Sequence, residues 1–380
     1  MTESEKLCNE IGAKFFCKDY VYQGLKYRDE KNNKLELCDG LFEYSEMYMA
    51  LQIKERSKET NGKTEESWLS DVVYGVAVNQ ILNTIKGIKN IEIEVRDLFQ
   101  QRVLLHKDYS IYPVIVFKNN KIKEYEKVIN IDGIKINIFS MDDYEKMMNA
   151  ILHPFDIFYY LSQRANYITT SLPSIVISDI DDNQAITNIR GEEDFANIIM
   201  YTKYKGDFSF KENALRILSI IENFRKKQSK VNPEYKNILN ILQKIEPNCA
   251  TGFMERFYYA RTKAIEDKFD ITKAIQLLID DKKTDIVFCS IGKVPFKNPK
   301  NYEIICDAKQ LQHKSDNMVL ISFIGIDSDK FLIDWIYYEK QYEEDKEAYM
   351  CYDKLGLYDG RITRELFDEM CSNIDGLNDR

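Results

Sequence analysis

The 380-residue chain is long enough for two or three domains, because one domain takes about 150 residues on average. Its composition, 44% hydrophobic and 30% charged with 15 Gly and 7 Pro, excludes a disordered, collagen-like or low-complexity protein. The formal net charge of −9 excludes a surface that binds polyanions over its whole extent, so any contact with nucleic acid must come from a local basic patch.

The first residues, 1–10, are polar and acidic and lack the features of a secretory signal. The longest apolar runs, such as 318–326, are far shorter than the roughly 20 residues that span a bilayer. Eight cysteines form no CxxC pair, and three histidines lack the spacing of a metal-binding pair. We therefore expect a soluble, cytoplasmic protein with reduced thiols and no membrane partner.

The N-terminal elements begin with a helix, predicted over 5–16 from apolar residues at helical spacing, with Thr2 or Ser4 as its N-cap. Two apolar segments, 35–44 and 48–54, are separated by a short turn and predict an antiparallel hairpin.

A long packing helix is predicted next, over 68–88. Three strands follow, over 91–95, 112–117 and 134–139, and the last leads into a helix that starts near Asp142 or Asp143. Because strands and helices alternate, we predict one α/β domain over residues 1–165, a mixed sheet flanked by helices.

Residues 166–248 are predicted to form a mostly helical, basic connecting region. Within 201–244, ten Lys or Arg residues oppose four Asp or Glu residues. Such a charge run is more often a solvated helix face than a nucleic-acid groove, and both interpretations stay open.

A second α+β domain is predicted over residues 249–380, with a role in recognition or partner binding. Its predicted elements are a helix near 253–269 and strands over 285–291, 302–306, 318–324 and 331–337. Its last part, 339–380, holds twelve acidic and six basic residues, which would repel a polyanion from that face.

The hairpin carries residues suited to phosphodiester chemistry. Side chains alternate across a strand, so Gln52 and Lys54 are predicted on one face, opposite Leu51 and Ile53. If the two strands pair, Asp39 lies close to Gln52 and Lys54. Asp39, the Gln52 amide and a backbone carbonyl near Ile53 can supply the oxygen ligands that a hard cation prefers. The pattern predicts a Mg²⁺ or Mn²⁺ site, with Lys54 facing the attacking water.

This arrangement resembles the PD-(D/E)XK nuclease superfamily, which has the restriction-endonuclease-like fold. The family motif is an Asp on one strand, and then an acidic residue or sometimes Gln, any residue, and Lys on the next; Asp39, Gln52 and Lys54 match it. The order of helix, strand, hairpin and helix is also that of the family core. The resemblance covers the first 90 residues well and the strands up to about residue 165 loosely. It implies a metal-dependent nuclease, with DNA favoured over RNA.

Further site residues follow from the resemblance. Glu5 matches an acidic residue that such domains carry on the first helix, with Glu10 as the second choice. Gln80 matches a Gln on the helix after the Lys strand. A role on a solvated helix surface is the alternative for all three.

The chain departs from the family pattern at two positions. Gln52 stands where an acid is commoner, and Cys38 replaces the Pro before the Asp. Glu36 and Glu5 are candidates to make up the missing charge. Glu36 is expected on the face opposite Asp39 unless a bulge intervenes, and Cys38 is expected to be a buried thiol because no histidine lies nearby in the sequence.

The sequence leaves three functions open. The first is a metal-dependent endonuclease, in an arrangement that resembles prokaryotic restriction and anti-phage defence effectors. The second is a catalytically silent nuclease fold that binds nucleic acid or protein. The third is a structural component whose second domain assembles with a protein partner or with further copies of the chain. For the hairpin residues themselves, the plain alternative is an edge hairpin with ordinary polar side chains.

Overall fold

The computed structural model describes residues 2–371 apart from a set of excluded positions. These are 16–17, 24, 29–33, 57–63, 98–101, 152, 169–174, 181–182, 188–190, 230–231, 280, 297, 299, 328, 340–344, 355–356, 359–361 and 370. Contacts divide the chain into two compact units, unit 1 (residues 1–209) and unit 2 (residues 210–380). The boundary between them falls inside the segment 166–248 that the sequence set apart as a connecting region.

Unit 1 combines helices on both sides of a sheet. Its helices are α1 (Glu3–Phe15), α2 (Glu65–Trp68), α3 (Val78–Asn90), α4 (Met141–Ala150), α5 (Pro154–Tyr167) and α6 (Glu192–Lys203). A π-helical segment, Leu69–Ala77, joins α2 and α3 without a break. Its strands are β1 (Val21–Gln23), β2 (Lys26–Arg28), β3 (Lys34–Glu36), β4 (Gly40–Tyr44), β5 (Met47–Glu55), β6 (Glu94–Arg96), β7 (Arg102–Leu104), β8 (Ser110–Lys118), β9 (Val128–Ile131), β10 (Ile134–Ser140), β11 (Ile175–Ile180) and β12 (Asn183–Thr187).

The main sheet of unit 1 has six strands in the order β1-β4-β5-β8-β10-β9. β5 pairs with β8 and β8 with β10 in parallel, whereas the other three pairs are antiparallel. This mixed sheet, with helices on both faces, confirms the predicted α/β class of the domain. The predicted pairing of segments 35–44 and 48–54 is confirmed for β4 and β5, in which Gly40 is paired with Leu51. The start of the first segment is wrong, because residues 35–36 belong to β3, which pairs with β2 instead.

Alternating side chains of β5 belong to two separate apolar cores. Leu51 and Ile53 pack in the core that includes Cys8 of α1 and Met147 of α4. Ala50 packs in the other core, together with the π-helical segment and α3. Both faces of this strand are therefore covered, as the alternation of a buried central strand requires.

A buried ion pair ties α5 and α6 to β10. Arg164 and Glu192 are both fully buried, and Arg164 Nη2 donates to Glu192 Oε2 (3.3 Å) and to the carbonyl of Ile138 (2.9 Å). Arg164 Nη1 also donates to Asn137 Oδ1 (3.2 Å). Each charge is thus compensated and hydrogen-bonded, which is the condition under which buried charges are tolerated.

Unit 2 is a smaller sheet flanked by helices. Its helices are α7 (Lys211–Gln228), α8 (Tyr235–Gln243), α9 (Ala250–Ile265), α10 (Lys300–His313) and α11 (Lys346–Lys354), and its strands are β13 (Phe269–Ile271), β14 (Ile275–Ile279), β15 (Lys282–Ile291), β16 (Asn317–Gly325) and β17 (Phe331–Glu339). The sheet runs β13-β15-β16-β17, and β14 also pairs with β15. β15 and β16 are parallel, so this sheet is mixed as well.

One predicted strand of unit 2 is wrong. Residues 302–306 lie inside the 14-residue helix α10. Ile305, Cys306 and Ala308 are fully buried, whereas the neighbouring Asp307 is only partly buried. An apolar run this short does not distinguish a strand from the buried stripe of a helix, and here the segment is helical.

In the described residues, no helix is long and apolar enough to cross a membrane.

Candidate active site

Asp39 lies at the point where β4 begins, and its carboxylate takes part in the pairing of β4 with β5. The Asp39 N–H donates to the carbonyl of Leu51 (3.0 Å), and the Ile53 N–H donates to Asp39 Oδ2 (2.6 Å). The Asp39 side chain thus accepts the hydrogen bond that a backbone carbonyl would accept if the pairing of β4 with β5 continued. The carboxylate is held against β5 opposite Ile53.

The carbonyl of Ile53 faces the same side as its N–H. Within a strand, the N–H and C=O of one residue point towards the same neighbouring strand. The Ile53 N–H points to Asp39, beyond the last paired position of β4 at Gly40. The Ile53 carbonyl oxygen and the Asp39 carboxylate therefore lie at the same end of the hairpin.

Gln52 and Lys54 extend from the other face of β5, the face that also carries Ala50. Gln52 is only 2% exposed, so its amide lies inside the unit, whereas Lys54 is partly exposed. Within the described residues, no carboxylate lies within ion-pair distance of the Lys54 ammonium. Lys54 nevertheless stands close enough to Asp39 to lower the pKa of its carboxyl.

Two helix starts are attached to the end of β5 that carries the candidate residues. Ser4 of α1 donates its hydroxyl to Glu55 Oε2 (2.8 Å), and this bond holds the pKa of the Glu55 carboxyl below its usual range. Arg56 forms an ion pair with Glu65 of α2. Asn119, just after β8, also donates to Glu65 (2.7 Å). These contacts fix α1 and α2 relative to the residues 52–54.

Glu5 takes part in the N-terminal cap of α1. The Glu5 N–H donates to Thr2 Oγ1 (3.2 Å), and the Thr2 N–H donates to Glu5 Oε2 (2.9 Å). This reciprocal pair is a capping box, which satisfies two N–H groups at a helix start. The Glu5 charge still raises the pKa of Asp39, so Glu5 contributes electrostatically to the candidate site.

The other acidic candidates stand further from Asp39. Glu36 is exposed and lies on β3, which pairs with β2 in a separate ribbon. Its charge raises the pKa of Asp39, although less than other causes do. Glu10 is exposed and forms a helix-surface ion pair with Lys6 (3.8 Å).

Two buried amide oxygens of unit 1, Asn9 Oδ1 and Gln80 Oε1, have no hydrogen-bond partner within the described structure. Asn9 is 2% exposed, and its Oδ1 would lie 2.9 Å from a Cβ placed on Gly40, next to Asp39. Gln80 lies one helical turn before Thr84, whose hydroxyl donates to the carbonyl of Leu37. Gln80 is among the candidates from the sequence, whereas Asn9 is not.

Burial raises the pKa of the Asp39 carboxyl from its ordinary value of 3.8 to about 6. The Ile53 N–H and the Lys54 ammonium lower this pKa, whereas the charges of Glu5 and Glu36 raise it. A perturbed carboxyl at one edge of a hairpin is a feature of functional sites, although structural networks also produce it. Next to Asp39, Cys38 is fully buried, and burial raises the pKa of its thiol.

The donors at this edge fit a hard divalent cation with one carboxylate ligand. Asp39 and the Ile53 carbonyl supply oxygens, and the partnerless amide oxygen of Asn9 lies beside them. In the described part of the chain, no group of three or more His, Cys, Asp or Glu side chains is placed to hold a metal ion. Neutral oxygens and water would therefore have to complete the coordination shell of a cation bound here.

The basic segment 201–244 is mostly helical, and several of its basic side chains pair with carboxylates. Lys203 pairs with Asp156, and Arg225 pairs with Glu222 (2.6 Å). Arg216 pairs with Glu212 on the same helix (2.6 Å). These contacts favour the interpretation of this segment as ordinary helix surface over a nucleic-acid groove.

Comparisons of this chain with protein-family models, with curated proteins and with solved structures give no match.

Proposed function

We propose that unit 1 is a metal-dependent nuclease of the PD-(D/E)XK kind that hydrolyses phosphodiester bonds, with DNA favoured over RNA. The proposal rests on the resemblance of Asp39, Gln52 and Lys54 to the family motif and on the order of α1, the β4–β5 hairpin and α3. The mixed sheet with the hairpin at β4 and β5 is compatible with a restriction-endonuclease-like fold.

The hydrogen bond between the Ile53 N–H and Asp39 Oδ2, at 2.6 Å, is the observation that carries the proposal. It brings the carboxylate from one strand to the carbonyl between Gln52 and Lys54 on the next. Residues 14 positions apart in the chain thereby meet where the pairing of β4 with β5 ends, between two interior strands of the sheet. An ordinary edge hairpin has no need to place a half-buried carboxylate there, since a backbone carbonyl would serve the Ile53 N–H equally well.

In this proposal, Asp39, the Ile53 carbonyl and the Gln52 amide oxygen hold Mg²⁺ or Mn²⁺. A divalent cation at such a site supplies an activated water and neutralises charge that develops on phosphorus. Lys54 adds a positive point charge beside the attacking water. Glu5 and Glu36 increase the negative potential that attracts the cation.

The test is cleavage of plasmid DNA, single-stranded DNA and RNA in the presence of Mg²⁺ or Mn²⁺. We expect wild type to cleave, and Asp39→Asn and Lys54→Ala to lose at least about a hundredfold in rate, as for removal of a group that stabilises transition-state charge. Lys86→Ala, on the exposed surface of α3, is the matched control and should cleave like wild type. Equal rates for all four proteins would refute the proposal.

A second candidate is a catalytically silent nuclease fold that binds nucleic acid or protein. It is favoured by Gln52, a neutral and 2% exposed side chain in the position where the family usually has an acid. Binding of labelled DNA by wild type and by Lys54→Ala alike, with no cleavage in either cation, would support this candidate. An oligomer whose size does not respond to DNA would instead support a purely structural component.

A further inference from the structure

Unit 2 contains a cavity of about 400 Å³ between the end of α10 and the start of α11. This volume lies within the range of roughly 300–1,000 Å³ that is typical of sites for small molecules. Leu311 contributes from α10, and Tyr349 and Met350 contribute from α11. The cavity lies within one compact unit and shares no residue with the candidate active site of unit 1.

The helix that covers the cavity is poorly packed. Among the described residues of α11, none is buried, and Tyr349 and Met350 are 42% and 57% exposed. A helix in a globular domain usually buries an apolar stripe against its neighbours. Tyr352 packs against the core of unit 2 and the Tyr349 ring contacts that of Tyr358. Tyr349 and Met350 also line the cavity and offer exposed apolar surface that an apolar ligand could cover.

Two ammonium groups stand at the same cavity. Lys314 follows α10 directly, and Lys346 begins α11. Within the described residues, neither lysine has a carboxylate within ion-pair distance. Among the lining residues that the structure describes, the acidic one is Asp345, whose Oδ1 accepts the N–H of Ala348 at the helix start (2.9 Å). The described lining residues thus carry a net positive charge.

We propose that this cavity binds a small molecule that combines a flat ring system with one or two acidic groups, such as a nucleoside monophosphate. The acidic group would contact Lys314 and Lys346, and charge-assisted hydrogen bonds of this kind are the strong ones. The ring would lie against Tyr349 and Met350, whose aromatic and thioether groups pack well on flat apolar surfaces.

Acidic residues of unit 2 disfavour the binding of a polymer that carries the same groups as the proposed ligand. The described residues between 339 and 371 include seven acidic and three basic side chains, so a long polyanion would be repelled from this part of unit 2. A small ligand with one charged group can contact the two lysines without extending over these acidic residues. The site would therefore discriminate between a mononucleotide and a nucleic-acid strand.

The experiment measures equilibrium binding of three probes to the full chain: AMP, adenosine and inorganic phosphate. We expect AMP to bind more tightly than adenosine, which lacks the charge, and than phosphate, which lacks the ring. Lys314→Ala and Lys346→Ala should each weaken AMP binding by at least about fivefold, the effect of removing one charged hydrogen-bond donor. Both positions are exposed, so both variants should fold.

Two controls separate this site from others. Lys236→Ala, an exposed lysine on α8, should bind AMP like wild type, and so should Asp39→Asn in unit 1. The proposal is overturned if adenosine binds as tightly as AMP, if the two cavity variants bind AMP like wild type, or if wild type binds none of the three probes.

Discussion

Asp39 Oδ2 lies 2.6 Å from the backbone nitrogen of Ile53, so the backbone of β5 holds the carboxylate in position. The Lys54 side chain is not needed to hold Asp39 in place. The two roles that we propose for these residues, cation binding by Asp39 and positive charge from Lys54, can therefore be separated by mutation.

The first prediction concerns this separation. Lys54→Ala should lose cleavage but keep the rise in melting temperature that Mn²⁺ gives to wild type, because the cation ligands remain. Asp39→Asn should lose both, since ligand binding stabilises only the folded state that binds it. Thermal unfolding with and without Mn²⁺ measures the effect. Loss of the Mn²⁺ response in Lys54→Ala would show that the lysine also holds the site together.

A second prediction follows from the pKa of Asp39, which is about 6 in the folded protein against an ordinary 3.8. A carboxyl with a raised folded-state pKa favours folding below its unfolded pKa, and this contribution is lost as the pH rises through about 6. Without divalent cations, Asp39→Asn should be more stable than wild type near neutral pH, by up to about 3 kcal/mol. The difference should shrink towards zero as the pH approaches 4.

Urea unfolding across this pH range, followed by a signal from unit 1, measures that difference. Asn at position 39 keeps an oxygen acceptor for the Ile53 N–H, so the variant removes the charge and preserves the hydrogen bond. A stability difference that does not change with pH would contradict the prediction.

The third prediction concerns Gln52→Glu, which introduces the acid that is common at the matching position of PD-(D/E)XK nucleases. Because Gln52 is 2% exposed, an added negative charge there should lower stability by about 1–3 kcal/mol in the absence of cations. The same charge should increase the stabilisation by Mn²⁺ relative to wild type. Asn130→Asp, at an exposed position of β9, should show neither effect. The melting temperatures of the three proteins with and without Mn²⁺ test this.

The buried pair of Arg164 and Glu192 gives a fourth prediction. Glu192→Gln removes a negative charge from a fully buried site and leaves the Arg164 guanidinium under-compensated, which should cost about 3 kcal/mol or more. Arg164→Met should be similarly costly. Because each single variant leaves an unpaired charge, the double variant should lose less than the sum of the two. Strict additivity in urea unfolding would indicate that the two side chains act independently.

The fifth prediction compares two glycines of unit 2. A Cβ on Gly325 would clash with the Ala264 carbonyl oxygen, a backbone atom that cannot rotate away. Gly325→Ala should therefore destabilise unit 2 by about 1–3 kcal/mol, as overpacking does. In contrast, Gly252 lies inside α9, where Cβ would approach only the flexible end of Arg256. Gly252→Ala should be neutral or slightly stabilising, because alanine favours helix.

The fold of unit 1 was largely predictable from periodicity. The spacing of apolar residues marked α1 and the helical segment that ends in α3, and the alternation in 48–54 marked β5. These signals are strong because each element buries a continuous face. The error at 302–306 has the same origin, since five apolar and polar residues inside α10 carry too little periodicity to identify a helix.

The candidate site was only partly predictable. The motif identified Asp39, but the direction of the Ile53 carbonyl depends on the pairing register, which a sequence does not state. Asn9 could not be identified from the sequence, because a single asparagine on a helix is common. Only the structure shows that its side chain lies against the backbone of Gly40. Glu5 was identified by its place on the first helix, yet its capping-box partner Thr2 shows a second reason for an acid there.

The separation of β3 from β4 has an evolutionary consequence. Because β3 pairs with β2 in its own ribbon while β4 enters the main sheet, Asp39 lies at the junction between a peripheral and a central structure. The ribbon can acquire insertions, deletions or new surface chemistry without shifting the register of β4 against β5. Such a layout allows descendants of one ancestral chain to change the surface of the ribbon, while the Asp39 carboxylate keeps its position against β5.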